Sequence, residues 1–331
     1  MAKTPDKIPV INIASFLDGT DKERVATEVA DACKNIGFLI ISGHGVKPKV
    51  IQNAFDKSKQ FFDLPQSEKN KYHPNGPSEQ RGYHAFATRG LAYTLGDNAP
   101  PDLRETYFLG PLEDHREHFK KIYGAEKAYA ANIFPETPKG ASEALREMYT
   151  SYQRLSEDIL RIFAYALGQN ESFFSNLIKR HFSILSSHHY PPLSIQPERG
   201  QLRTGAHTDF GAITILAMTK ASEGLEVLMP NDRWRPVTPI KGELVVNLGD
   251  MMSQWTNGNW KSTLHRVVNP PKLNDKMSHR QTIGYFMHPN YDAIIETIQT
   301  CIPKNQKSSF EPISAGEHIA KKIKASHEGS N

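Results

Sequence analysis

The chain has 331 residues, of which 38% are hydrophobic and 23% charged, and a net charge of +4, an ordinary globular composition with material for a large core. Its basic residues are spread rather than blocked, which argues against nucleic acid as a partner, and no run approaches the roughly eighteen apolar residues of a membrane span. The two cysteines, Cys33 and Cys301, make no CxxC or Cys/His cluster, which excludes a disulfide framework or structural zinc site and fits a reducing, cytoplasmic setting for a soluble monomer.

The N-terminal segment Ile8 to Ile13 reads as a short strand, and Val25, Val29, Ala30 and Cys33 recur at helical spacing over 21–35. Gly37 to Ile41 is a buried strand ending at the turn Ser42-Gly43-His44-Gly45, and a second amphipathic helix over 48–62 stops at Leu64-Pro65. Residues 73–104, rich in Pro, Gly, Asn and Ser, read as a long irregular segment, which in a compact domain is usually functional or mobile. A strand follows from Glu105 to Gly110, then helices over 139–169 and 171–181. Beyond Phe182 short apolar strands alternate with turns: 184–190, 212–218, 225–228, 235–237, 244–248, 265–268 and 281–287. That spacing argues for a jelly-roll sandwich or barrel. The fold class is therefore mainly β with flanking helices. One structural unit is expected, with an N-terminal region (1–110), a helical region (111–181), a β core (182–300) and a helical tail (301–331).

His207-Thr208-Asp209, His265 and Arg280-Gln281-Thr282 carry the chemistry. In an extended chain residues i and i+2 share a face, so His207 and Asp209 reach one metal, and His265 supplies a second imidazole from another strand. Two histidines and one carboxylate with open positions suit Fe(II) better than a tetrahedral zinc. Any one His-x-Asp pair is weak in a chain with 14 histidines; its placement before an apolar strand strengthens it. Arg280 offers a bidentate fork for a second carboxylate.

These segments appear in order with Ile-x-Gly-His-Gly-Val (Ile41 to Val46), His-Tyr-Pro-Pro-Leu (His189 to Leu193), Asn-x-Gly-Asp-Met (Asn247 to Met251) and Ser-Thr-Leu-His-Arg-Val (Ser262 to Val267). Taken together they resemble the isopenicillin N synthase-like branch of the Fe(II)/2-oxoglutarate-dependent dioxygenases, and within it the small-molecule hydroxylases of the thymine hydroxylase type. The resemblance runs from Ile8 to about Asn290. It implies a double-stranded β-helix core, with iron held by His207, Asp209 and His265. It further implies that 2-oxoglutarate is anchored by Arg280, Thr282 (where the family usually has serine) and Tyr190. The reaction implied consumes dioxygen, releases succinate and carbon dioxide, and oxidises, most often hydroxylates, a C–H bond of a small organic substrate. Arg81, Tyr83, His84, Arg104, Phe108, Phe210, Trp255 and Met287 are the candidates for substrate contact, with His288 beside them. Two other readings stay open: an iron oxidase of the same fold that uses no keto acid, and a non-catalytic jelly-roll protein that binds a ligand.

Overall fold

The computed structural model describes residues 7–75, 80–90, 100–219 and 223–328. Its strands are β1 (Val10–Asn12), β2 (Phe38–Ser42), β3 (Gly82–His84), β4 (Glu105–Leu109), β5 (Ile184–Tyr190) and β6 (Thr204–His207), followed by β7 (Ile213–Met218), β8 (Leu225–Leu228), β9 (Trp234–Pro236), β10 (Leu244–Leu248), β11 (His265–Val267) and β12 (Arg280–Met287). Among the described residues, one sheet has eight strands in the order β1-β2-β10-β7-β12-β5-β4-β3, and a second has four in the order β6-β11-β8-β9. Most pairs are antiparallel; β1 alongside β2 is parallel.

The large sheet is buried on both faces, and its registers sort the side chains. Arg280 lies opposite Tyr190, Thr282 opposite His188, and Gly284 opposite Ser186. Thr106 and Phe108 continue those rungs into β4, and Thr214, Leu216, Val245, Asn247, Phe38 and Ile40 continue them through β7, β10 and β2. Because side chains alternate with period two, all of these share the inner face. There Phe38, Ile40, Tyr190 and Val245 pack with Leu225, Val227 and Val267 of the small sheet. Two facing sheets around that filling form the jelly-roll core the strand pattern predicts.

Helices cover the outer face. Helix α1 (Lys22–Asn35) is capped by Asp21, whose side chain accepts from Arg24 N, and buries Val25, Val29, Ala32 and Cys33. Helix α2 (Pro48–Phe62) opens with proline, where the missing N–H costs nothing. The 26-residue α3 (Ala141–Ala166) buries Leu145, Met148, Tyr152, Leu155, Ile159 and Phe163 along one stripe. These residues join Tyr107, Leu185, Ile283 and Tyr285, on the alternate positions of β4, β5 and β12, in a second and larger core.

The expected helix over 171–181 is absent: its middle is a single 3-10 turn, Ser175–Leu177. Asn170 turns its side chain onto the backbone N–H of Ser172, a local bond that competes with helix continuation. The irregular stretch 73–104 contains β3, and its residues 76–79 and 91–99 lie outside the described ones. Like β3, the elements β6 and α4 (Asp250–Trp255) had no forecast, and both border the histidine and aspartate motif. Helix α5 (Ala315–Glu328) closes the described chain. No helix among the described residues is long and apolar enough to cross a membrane.

Candidate active site

His207 ends β6 and His265 opens β11, directly opposite each other in the small sheet. Their rings lie 4.3 Å apart between centroids. Each ring is fixed by the same local bond: Nδ1 of His207 donates to Gly205 O at 2.8 Å, and Nδ1 of His265 to Thr263 O at 3.1 Å. A carbonyl only accepts, so the proton sits on Nδ1. Both Nε2 atoms then face one oxygen, Asp209 Oδ1, at 3.6 and 3.8 Å. The three residues are buried, and their donor atoms all lie within 4.8 Å of one another.

The electrostatics agree with that geometry. Burial, reinforced by His265, holds the His207 imidazole well below its usual pKa, so it is neutral at ordinary pH. Burial pushes the Asp209 carboxyl up, but His265 and His207, then Thr214 and Asn247, outweigh it and keep the group ionised. Two imidazole Nε2 atoms and a carboxylate oxygen that face one another at these distances, with no hydrogen bond between them, are placed to share a cation. The donor set fits a divalent ion with imidazole and carboxylate preference, iron(II) among them.

The loop that carries Asp209 is held by close backbone approach. Gly249 N donates to Ala212 O at 2.9 Å and Asp250 N to Asp209 O at 2.8 Å. A Cβ at Gly249 would meet Gly211 O at 2.2 Å, and one at Gly211 would meet Met287 O at 2.6 Å. Glycine at 249 lets the loop touch the start of α4, and glycine at 211 lets it touch the end of β12.

Arg280, at the start of β12, is 1% exposed. Its guanidinium sits 4.5 Å from the centre of the Tyr190 ring. Two of its nitrogens, Nε and Nη1, have no hydrogen-bond partner, a costly state for a buried cation unless an anion is received there. Thr282 is buried one rung further along the same face, opposite His188. Tyr190 bonds Thr204 Oγ1 at 3.2 Å. Burial would raise its pKa, yet Arg280 and Arg104 bring it below the usual phenol value.

The substrate candidates divide by strand parity. His84 and Phe108 lie on the inner face, edge to face at 5.4 Å. Arg104, immediately before β4, pairs with Asp102 at 3.0 Å and acts electrostatically on Tyr190, His188 and His207. Phe210 follows Asp209 and is partly exposed, with Lys322 of α5 5.9 Å from its ring centre.

The other four lie away from that face. Tyr83 points to the helix side, bonded to Glu105 and packed on Phe61. Met287 falls on the same outer side, one residue out of phase with the inner Phe286. Arg81 is spent on the carbonyls of Gln80, Ala128 and Ala130, where it ties a loop to the end of the sheet. Trp255 packs edge-on against Phe174 in the helix-side core. His288 stacks on Phe182 at 4.9 Å. Sequence reasoning missed Thr214, Asn247, His188 and Phe286, all on inner rungs. The alternation of β5, β7 and β12 was the signal that would have found three of them.

The comparisons with known proteins give the assignment. Residues 8–137 match the family model described as non-haem dioxygenase in morphine synthesis N-terminal. Residues 181–289 match the 2OG-Fe(II) oxygenase superfamily. A 2-oxoglutarate-Fe(II) type oxidoreductase of Aspergillus fumigatus is 30% identical over 99% of this chain and 95% of its own. The validamycin A dioxygenase of Streptomyces hygroscopicus subsp. limoneus is 30% identical over 95% of this chain and 85% of its own. The crystal structure of the full-length thymine hydroxylase of Neurospora crassa, in complex with alpha-KG and thymine, superposes with a TM-score of 0.82 at 29% identity, covering 96% of each chain. The chain belongs to the 2-oxoglutarate/Fe(II) oxygenase superfamily and is an oxidoreductase that uses iron(II), dioxygen and 2-oxoglutarate on a small-molecule substrate.

Proposed function

We propose that His207, Asp209 and His265 hold the iron, that Arg280 with Tyr190 and Thr282 anchors 2-oxoglutarate, and that the reaction is hydroxylation of a polar small molecule. The observation that carries the reading is the convergence of both Nε2 atoms on Asp209 Oδ1. Iron bound there supplies the oxidising chemistry, in which the keto acid is split to succinate and carbon dioxide while a substrate C–H bond is oxidised.

The chain's own residues bind, orient and exclude water. Arg280 keeps Nε and Nη1 without a partner, so its buried charge is open to the far carboxylate of the keto acid, inside a surround with little water to weaken the pair. Tyr190 lies beneath that guanidinium and fixes its plane. His188, hydrogen-bonded through both ring nitrogens to Thr106 and Ser186 and kept neutral by burial, stands between this anchor and Phe108. Phe108, His84 and Arg104 form the wall toward the edge of the sheet, and Phe210 the wall beside the metal. An apolar ring beside a guanidinium favours a flat or compact substrate carrying a hydrogen-bond acceptor or a negative charge. The Neurospora neighbour holds thymine, which is flat and rich in acceptors.

The test is a screen of heterocycles and small carboxylic acids for succinate released above the substrate-free rate. A hit should lose that release with an iron chelator and in His207→Ala. Release that survives both treatments would remove these residues from the iron site.

A further inference from the structure

Asp209 is divided between two sets of partners. Its Oδ2 accepts the Thr214 hydroxyl at 2.5 Å and the Asn247 side-chain amide at 2.7 Å. Its Oδ1 has neither donor and faces the two imidazoles. Thr214 and Asn247 stand directly opposite each other on β7 and β10, so a single rung of the large sheet presents both donors. Asp209 itself lies just beyond β6 of the small sheet. The contact therefore spans the two sheets, and both side chains are buried, at 4% and 3% exposure.

A carboxylate oxygen with two donors has its in-plane lone pairs occupied. Swinging the group to offer both oxygens to a metal would break two buried hydrogen bonds, one of them short. An octahedral ion has six positions. Three protein donors leave three, of which the keto acid needs two and dioxygen one. A second oxygen from Asp209 would take a position the reaction needs.

We infer that Thr214 and Asn247 are positioning residues that clamp Oδ2 of Asp209, so that the carboxylate meets the metal through Oδ1 alone. This rests on the assignment of His207, Asp209 and His265 as the metal donors. It adds that the large sheet, which supplies none of those donors, governs how tightly they hold the ion and how many positions stay open.

The test is anaerobic calorimetric titration of the metal-free enzyme with iron(II) alone, then of the iron-loaded enzyme with 2-oxoglutarate, with no turnover involved. Thr214→Val keeps the shape of the side chain and removes the donor. It should weaken iron binding by roughly 10–100-fold, the range found when groups that orient a metal ligand are lost, and should weaken 2-oxoglutarate binding as well. Thr214→Ser, which restores the hydroxyl, should bind iron within about twofold of the native chain. Asn247→Ala should follow Thr214→Val. Native iron affinity in Thr214→Val overturns the clamp. Two donor-less variants that fail to fold assign both groups to stability and overturn it equally. His207→Ala separates the levels: if it too binds iron normally, the metal assignment falls along with the clamp. If it alone loses iron, only the clamp falls.

Discussion

A guanidinium at 1% exposure with two unpartnered nitrogens is a costly group to bury. Burial already lowers the Arg280 pKa, and the Tyr190 ring and hydroxyl offset part of that cost. A dicarboxylate that enters meets a fork already oriented, so little ordering has to be done on binding. Arg280→Lys keeps the charge but loses the fork, and should raise the 2-oxoglutarate concentration for half-maximal succinate release by about tenfold or more. Arg280→Ala should raise it further. An unchanged concentration dependence in both would move the anchor to another cation.

At the level of elements, the loop after β6 is held from two sides. Asp250, at the start of α4, bonds back to Asp209 O through its N–H and receives Lys322 of α5 at 2.6 Å on its side chain. Lys322 also stands 5.9 Å from the centre of the Phe210 ring, so the last helix is strapped to the segment that carries the carboxylate. Lys322 is partly exposed, and such a pair is worth up to about 1 kcal/mol. Lys322→Ala should therefore weaken iron binding by roughly two- to fivefold. The melting temperature of the sheets should stay the same. A drop in melting temperature with unchanged iron affinity would show that α5 serves stability alone.

The same elements show what was legible beforehand. The strands of the core, α1, α2 and α3 are periodic over many residues, and apolar spacing alone places them. His207 and Asp209 sit on a short motif whose spacing already put them on one face, and His265 joins them through the pairing of β11 with β6. Met287 lies on the outer face, and its parity against Arg280 made that readable, since an odd separation in a strand means opposite faces. Arg81 could not have been judged, because the carbonyls that receive it come from Ala128 and Ala130, far along the chain and in no regular element shared with it. Asn247 stands in the motif Asn-x-Gly-Asp-Met, whose composition marks a turn between strands. Its role beside Asp209 exists only through the pairing of β10 with β7.

Over the whole molecule, burial of histidines sets a pH limit. Burial pushes His181 and His288 down to about 4, and His188, with Arg104 and Arg280 nearby, well below its usual value. Their folded pKa values lie beneath the ordinary 6.5, so between the two the unfolded chain binds protons that the folded chain does not. Stability is then complete above about pH 6.5 and falls on acidification, by up to about 1.4 kcal/mol per pH unit for each such group. The urea midpoint of the metal-free protein should drop steadily between pH 6.5 and 4. A flat profile across that window would mean that these histidines open to water before they charge.

The two sheets also divide the labour of the molecule in a way that bears on its descent. The proposed donors for the ion hang from the small sheet and its loop, whereas Phe108, His84 and Arg104 stand on or beside β4 and β3 at the far edge of the large one. An edge strand tolerates exchange of its inward side chains without disturbing the rungs between β5 and β10. On this plan the wall proposed for the substrate can be exchanged at the sheet edge while the proposed oxidising centre stays intact.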